Sequence, residues 1–308
     1  MSEQDSQTES IACADEAEWL SARRGGLGSS DAPAILEVSA WKSPLQVYSE
    51  KLGIIEPDAV ESEAMEWGKA LEPVIAQRYV KETGRFLQDP GRFTIQRSRR
   101  YPLMLATLDR FVAAGNHRGL GILEIKTTGS FKADQWEEEP PLPYQVQVQH
   151  QLAVMGFAWA SIAVLIGGQK FRWLDVERND RFIALLIERE AAFWERLQKH
   201  EPPPPDPSEA TKEILAKLYP KDVGTSVALP GEALEWDRLR VEAKDQIKHW
   251  EAKEREAENL LKAHIGDATF GVLPSGITYS WKAGIRRGYT VEETSVRTLR
   301  RQEPKGGK

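Results

Sequence analysis

Cysteine is almost absent from this chain of 308 residues. Cys13 is the only one, so an internal disulfide, a cysteine-rich zinc site and a cysteine-ligated iron–sulfur cluster are all excluded. That fits a reducing compartment. Long apolar runs are missing too: no stretch approaches the roughly 20 residues a membrane-spanning helix needs. The opening MSEQDSQTES is acidic and polar, where a secretory signal would be basic and then apolar. The expectation is a soluble, cytoplasmic protein with no membrane partner. Positive charge is in deficit, with 41 Lys and Arg against 47 Asp and Glu and a net charge of −6. Such a chain does not coat nucleic acid by bulk basicity, and a polyanion would have to be met by local basic clusters.

What is present, 41% hydrophobic and 29% charged residues, is ordinary globular composition and enough for one large or two smaller cores. Residues 1–14 have the polarity of a disordered leader. A short helix, AEWLSARR, leads into the glycine-rich turn GGLGSSD, where Ser29, Ser30 or Asp31 can cap the next helix, SDAPAILEV. Residues 43–53 and 61–84 carry apolar side chains at helical spacing, including Met65, Leu71, Ile75 and Tyr79, with Glu72 in the middle of the second segment. After Gly84 the period becomes that of strands: RFTIQ, YPLMLATLDRFVAA and GLGILEIKTTG, the last two folded into a hairpin by the polar turn at 115–119. A helix over 142–156, the strands ASIAVLIGG and FRWLDVE, and a helix over 182–200 complete an α/β core, a central mixed sheet flanked by helices.

The core domain is read as 15–200, closed by a proline-rich linker at 201–209. Within 210–308, Trp236, Leu239, Ala243, Ile247, Trp250, Ala257, Leu261 and Ile265 step by three and four, which predicts a long amphipathic helix that stops at Gly266. About 35 residues would span on the order of 50 Å. A β-hairpin around Pro274, Ser275 and Gly276 follows, then a basic tail with Arg286, Arg287, Arg297, Arg300 and Arg301.

The chemistry concentrates on the hairpin of the core. Asp109 is followed, after fourteen residues, by Glu124-Ile125-Lys126 on the partner strand. Alternation puts Glu124 and Lys126 on one face and Ile125 on the other. Two carboxylates and the Ile125 backbone carbonyl form an oxygen donor set suited to Mg²⁺, and Lys126 would orient or deprotonate an attacking water. The flanking LMLATL and GILEI are apolar, so these charges sit where unpaired charge is expensive. Glu72 offers a further carboxylate from a helix, and Tyr144, Gln147 and Gln149 lie on the helix after the hairpin. His117 falls in the turn and His150 is expected to pack. Trp41, Trp136, Trp159, Trp173 and Trp194 read as core or edge aromatics in preference to base-stacking platforms. Arg97, Arg99 and Arg100 read as a basic edge strand, either solvated or tracking a DNA backbone.

These elements together resemble the YqaJ-type viral recombinase family, to which phage lambda exonuclease belongs, within the PD-(D/E)xK nuclease superfamily. The resemblance rests on Trp19 with Arg23, Gly25 to Ser30, the helix Trp67-Gly68-Lys69-Ala70-Leu71-Glu72, Leu108-Asp109, Glu124-Ile125-Lys126, and Tyr144 with Gln147-Val148-Gln149, in that order over the first two-thirds of the chain. It departs from the superfamily at Leu108, which replaces a proline that ligates nothing.

By resemblance the fold is a restriction-endonuclease-like core, with the C-terminal helix and hairpin added. Asp109 and Glu124 are metal ligands with the Ile125 carbonyl, and Lys126 is the catalytic lysine. Glu72 is an auxiliary acid near the metals, and Gln147, or else Gln149, positions the lysine or water. Arg23 and Ser30 match the pocket for a 5′-terminal phosphate, with Arg24 competing for the part of Arg23; a guanidinium forks onto phosphate and a serine adds a hydroxyl. The implied activity is a Mg²⁺-dependent 5′→3′ exodeoxyribonuclease, with Mn²⁺ as a substitute, acting on double-stranded DNA ends. Phage-type recombination with a single-strand annealing protein and a homotrimeric assembly are implied with it. The alternatives are an endonuclease or repair nuclease of the same fold and a DNA-end-binding protein without turnover.

Overall fold

Local sequence sets the element ends of this computed structural model, which describes residues 7–56, 62–113, 118–285, 288 and 297–302. In chain order the first unit, Met1–Pro220, contains β1 (Thr8–Ala12), α1 (Glu16–Arg24), β2 (Leu27–Gly28), α2 (Ala32–Ile35), α3 (Pro44–Lys51) and α4 (Glu63–Thr83). It continues with β3 (Phe86–Gln88), β4 (Thr94–Ser98), β5 (Met104–Ala106), β6 (Arg110–Ala113) and β7 (Leu120–Thr128). After a 3-10 turn at Ser130–Trp136 come α5 (Leu142–Met155), β8 (Trp159–Ile166), β9 (Lys170–Glu177), α6 (Asp180–Lys199) and α7 (Glu209–Leu218). Side chains of Asp15, Ser43, Ser62, Asn179 and Ser208 accept from backbone N–H groups in the first turns of α1, α3, α4, α6 and α7, offsetting donors that have no partner inside a helix. Gly84 and Gly156 close α4 and α5 at φ of 68° and 70°, where a side chain would be strained.

The central sheet has the order β3-β6-β7-β8-β9 and is antiparallel except for the parallel pair β7–β8. That parallel pair needs a crossover, and α5 supplies it. One sheet face packs Leu123, Ile125 and Ala163 against Ile75, Ala76 and Tyr79 of α4. The opposite face packs Ile122, Ile162 and Val164 with Val148 and Leu152 of α5 and Ile183 of α6. The first unit is therefore an α/β sandwich around β7, the strand that carries Glu124 and Lys126.

A second sheet, β1-β4-β5-β2, was not legible. The apolar segment 101–114 is not one strand: it ends β5 at Ala106, crosses to the other sheet and restarts as β6 at Arg110, leaving Asp109 at the crossover. Residues 8–12, expected to be disordered, form β1 and pair with β4 from Thr8↔Ser98 to Ala12↔Thr94. Their polar side chains stay outside while their backbone completes a ladder, so composition misleads here. With β1 attached, β4 is an inner strand, which corrects the reading of Arg97 as an edge residue.

The expected boundary at 201–209 also shifts, because α7 buries Ala210, Thr211 and Ile214 within the first unit. Unit two, Lys221–Lys308, holds α8 (Ala233–Ile265) and the hairpin β10 (Phe270–Val272) and β11 (Thr278–Ser280). In the tail, Arg301 pairs with Asp237; Arg286 and Arg287 lie outside the described residues, as does His117. No described helix is long and apolar enough to cross a membrane.

Candidate active site

Alternation along β7 decides the site. Ile125 points into the α4 layer while Glu124, only 3% exposed, points to the α5 side. Asp109, just ahead of β6 in the hairpin, accepts a hydrogen bond on Oδ2 from the Ile125 backbone N–H at 2.7 Å. Glu124 is gripped from three directions. Lys126 Nζ lies 2.5 Å from Oε1, Gln147 Nε2 donates to Oε1 at 2.6 Å, and Gln151 Nε2 donates to Oε2 at 2.7 Å.

Gln151 was missed in the sequence. The signal was present: Gln147 and Gln151 are four apart and share a helix face, whereas Gln149 lies on the far side. Gln149 accordingly turns away, donating to the Glu177 carbonyl at 2.7 Å and accepting from the Asn179 N–H at 2.9 Å. It ties α5 to the β9–α6 connection, whereas Gln147 lines the cavity beside Glu124.

Burial and the neighbouring Glu124 push the Asp109 carboxyl well above the ordinary carboxylate range, against the pull of Lys126 and the Ile125 N–H. Burial alone would discharge Lys126, but Glu124 and Asp109 hold its pKa above the ordinary lysine value, so it is an ammonium. Two carboxylates facing each other in a buried cavity are costly unless a cation or a proton lies between them. The oxygen donors fit a hard divalent cation. Among the described residues no ready-made group of three acidic, histidine or cysteine ligands is assembled. Glu72 explains part of this: its Oε1 receives Arg110 Nη1 at 2.6 Å, and the same nitrogen donates to the Asp109 carbonyl. The auxiliary acid expected at Glu72 is therefore already neutralised by an arginine.

Arg23 Nη2 donates to Ser30 Oγ at 2.9 Å, and its guanidinium lies over the Trp19 ring at 4.5 Å. Arg24 points instead to Glu56, at 2.6 Å, and only Arg23 of the two is beside Ser30. The helix after Ser30 is only Ala32–Ile35, too short for a useful dipole, so the charge here comes from side chains. Beneath the turn, buried Asp31 accepts from the Gly28 N–H at 3.0 Å and meets Lys42 at 3.1 Å and Lys51 at 2.8 Å. Burial would raise the Asp31 carboxyl, but Lys42, Lys51 and Arg23 together hold it well below the usual range.

One cavity of about 200 Å³ joins both clusters: Trp19, Arg23, Gly28, Ser29 and Ser30 line it together with Thr107, Asp109, Glu124 and Gln147. Thr107 also had no signal in the sequence. Tyr144 stands beside this cavity, its ring 5.3 Å from Lys126 Nζ.

The sequence profile of the YqaJ-like viral recombinase domain matches residues 18–158, the span that holds every one of these groups. The uncharacterized protein YqaJ of Bacillus subtilis is 34% identical over 262 residues, covering 83% of this chain and 80% of that protein. The crystal structure of the alkaline exonuclease LHK-Exo from Laribacter hongkongensis superposes with a TM-score of 0.52 at 23% identity, over 66% of this chain and all of that one. Its complex with dAMP gives the same TM-score at 24% identity. The two carboxylates, the lysine and the glutamines thus sit on the fold of an alkaline exonuclease, and the chain belongs to the YqaJ-like viral recombinase family.

Proposed function

We propose that the protein is a divalent-metal-dependent exodeoxyribonuclease that degrades one strand of linear duplex DNA from its 5′ end and leaves a 3′ single strand. The observation that carries this reading is the single cavity with Arg23 and Ser30 at one side and Asp109, Glu124 and Gln147 at the other. A terminal phosphate held by the arginine and serine would place the scissile phosphodiester against the carboxylates.

Asp109, Glu124 and the Ile125 carbonyl would hold Mg²⁺, with Mn²⁺ as a substitute; such a cation supplies Lewis-acid stabilisation of phosphoryl charge and an activated water. The chain's own groups do the rest. The Lys126 ammonium donates a proton or hydrogen bond toward the phosphate oxygens, Gln147 and Gln151 fix the Glu124 carboxylate in one orientation, and Arg110 neutralises Glu72. The proposed setting is phage-type recombination in the cytoplasm, as a homotrimer delivering single strands to an annealing protein.

The test compares a linear duplex with a 5′ phosphate on one strand and a 5′ hydroxyl on the other against a closed circle of the same sequence. The phosphorylated strand should disappear first and the circle should persist. Cutting of the circle at a rate comparable to the linear duplex would establish an endonuclease instead, and no degradation of any DNA with Mg²⁺ or Mn²⁺ would leave a non-catalytic end-binding protein.

Metal and proton should compete at Asp109. Its carboxyl is raised in the folded state, so the stability it contributes is fully present below the ordinary carboxylate pKa of about 3.9 and is lost as pH rises through the raised value. A cation that binds the ionised form restores that loss. The rise in Tm on adding Mg²⁺ or Mn²⁺ over EDTA should therefore grow as pH rises above the ordinary carboxylate pKa of about 3.9, where metal near 100 Kd stabilises the fold by roughly 2–3 kcal/mol. A metal-induced shift that is flat with pH would contradict the assignment of Asp109.

A further inference from the structure

A stack of three near-parallel rings runs outward from the core next to Lys126. Trp136 is buried; Tyr144 lies on it at 5.2 Å between centroids and 25° between planes, and Trp41 lies on Tyr144 at 6.0 Å and 27°. Trp41 is 57% exposed, so the expectation of a core or edge aromatic does not describe it. Single exposed aromatics are common and need no explanation, but this one is held in place. Ser39 Oγ accepts from the backbone N–H groups of both Trp41 and Lys42, each at 3.2 Å. Lys42 is anchored to Asp31 at 3.1 Å and to Glu50 at 2.5 Å, and Ser43 caps α3 directly afterward. The indole is thus presented to solvent from a loop fixed on both sides. Its own cation, Lys132 Nζ, lies 5.4 Å from the ring centroid.

A nucleobase is the flat group that extends a stack of parallel rings, and base–aromatic stacking is indifferent to sequence because every base has a π-face. A nearby ammonium suits the phosphate that accompanies the base. We propose that Trp41 is a stacking platform for an unpaired nucleobase of the strand whose phosphate lies at Asp109 and Glu124, with Lys132 receiving a neighbouring phosphate. The inference rests on the reading of this cavity as a DNA-strand site. It assigns to the rings a task the carboxylates cannot perform, which is to hold the base of a nucleotide drawn out of the duplex, where stacking on its neighbours is lost.

The test uses full-length protein in EDTA and a 5′-phosphorylated single-stranded tetranucleotide bearing 2-aminopurine, whose fluorescence falls on stacking. Wild type should quench it on binding. Trp41→Ala should bind about 10-fold more weakly, as expected for loss of one stacked base, and leave bound probe bright, while Trp41→Phe should recover most of both effects. A tetranucleotide of the same charge with abasic sites should bind wild type and Trp41→Ala alike. Equal quenching and affinity for wild type and Trp41→Ala overturns the platform, as does a wild type that binds the abasic probe as tightly as the one with bases. That second comparison needs no variant, so a misfolded Trp41→Ala leaves the inference open to refutation. The same wild-type preparation is assayed on linear duplex with Mg²⁺. Degradation without Trp41-dependent quenching removes the platform alone, and quenching without degradation removes the exonuclease reading while the platform stands.

Discussion

Replacing Lys126 with alanine is expected to lower the degradation of linear duplex DNA by about 10²–10⁴-fold, the range spanned by a positioned proton donor or acceptor. The reason lies in the strand. Glu124 and Lys126 are two apart on β7, so they share the face toward α5, and the ammonium reaches Glu124 Oε1 at 2.5 Å. Burial works against a charged lysine, yet the two carboxylates keep it charged, so it can stabilise negative charge that develops on a phosphate held beside them. The alanine variant should keep the fold, because the Lys126 side chain is 20% exposed, whereas Ile125 and Leu123 carry the packing on the other face. Rates on the 5′-phosphorylated duplex, together with a far-UV spectrum and Tm, decide the matter. Wild-type rates in a folded Lys126→Ala protein would sink the assignment.

The largest stability effect is expected at His150, next to Gln151 on α5. His150 and Glu190 are both 0% exposed, and His150 Nδ1 lies 2.7 Å from Glu190 Oε1. His150 Nε2 contacts the Leu105 carbonyl at 2.9 Å. A carbonyl only accepts, so Nε2 carries a proton, and a second proton must lie in the Nδ1–Oε1 contact. Burial would strip the imidazole of its charge, but Glu190 raises its pKa. His150→Leu removes the partner of a carboxylate that has nowhere else to turn, since among the described groups Glu190 Oε2 already has no hydrogen bond. Breaking a buried pair in this way costs about 3–5 kcal/mol, or on the order of 10 °C in Tm for a unit of this size. Adding Glu190→Leu to His150→Leu should recover much of the loss, because an apolar pair often replaces a buried ion pair at little net cost. Urea unfolding of the two single variants and the double variant checks both points. A His150→Leu cost below about 1 kcal/mol, or a double variant as unstable as the sum of the singles, would contradict the pairing.

Much of the site could be read because its motifs are local and ordered. The change from helical to strand period after Gly84 located the hairpin, and the two-residue period of β7 put Glu124 with Lys126 and sent Ile125 to the opposite layer. Glycine and proline marked the ends of α5 and α8. The errors arose where a residue's meaning depends on a distant neighbour. Residues 8–12 look disordered until β4 is available to pair with them. The proline run at 202–205 looks like a domain linker until α7 is seen packed back on the first unit.

By itself the sequence determined the chemical inventory of this protein: a near-neutral pair of short-range clusters, two carboxylates with a lysine and an arginine with a serine, in a chain with a net charge of −6. It also determined which side chains share a strand face, because alternation is a property of the backbone. Only the tertiary structure decided which of several similar groups converge. It chose Gln147 and Gln151 over Gln149, Arg23 over Arg24, and an arginine-neutralised Glu72 over a free one. Those choices depend on through-space partners at 2.6–2.7 Å. Electrostatic and hydrogen-bonding energies fall off over a few ångströms of space, and sequence separation does not measure that distance.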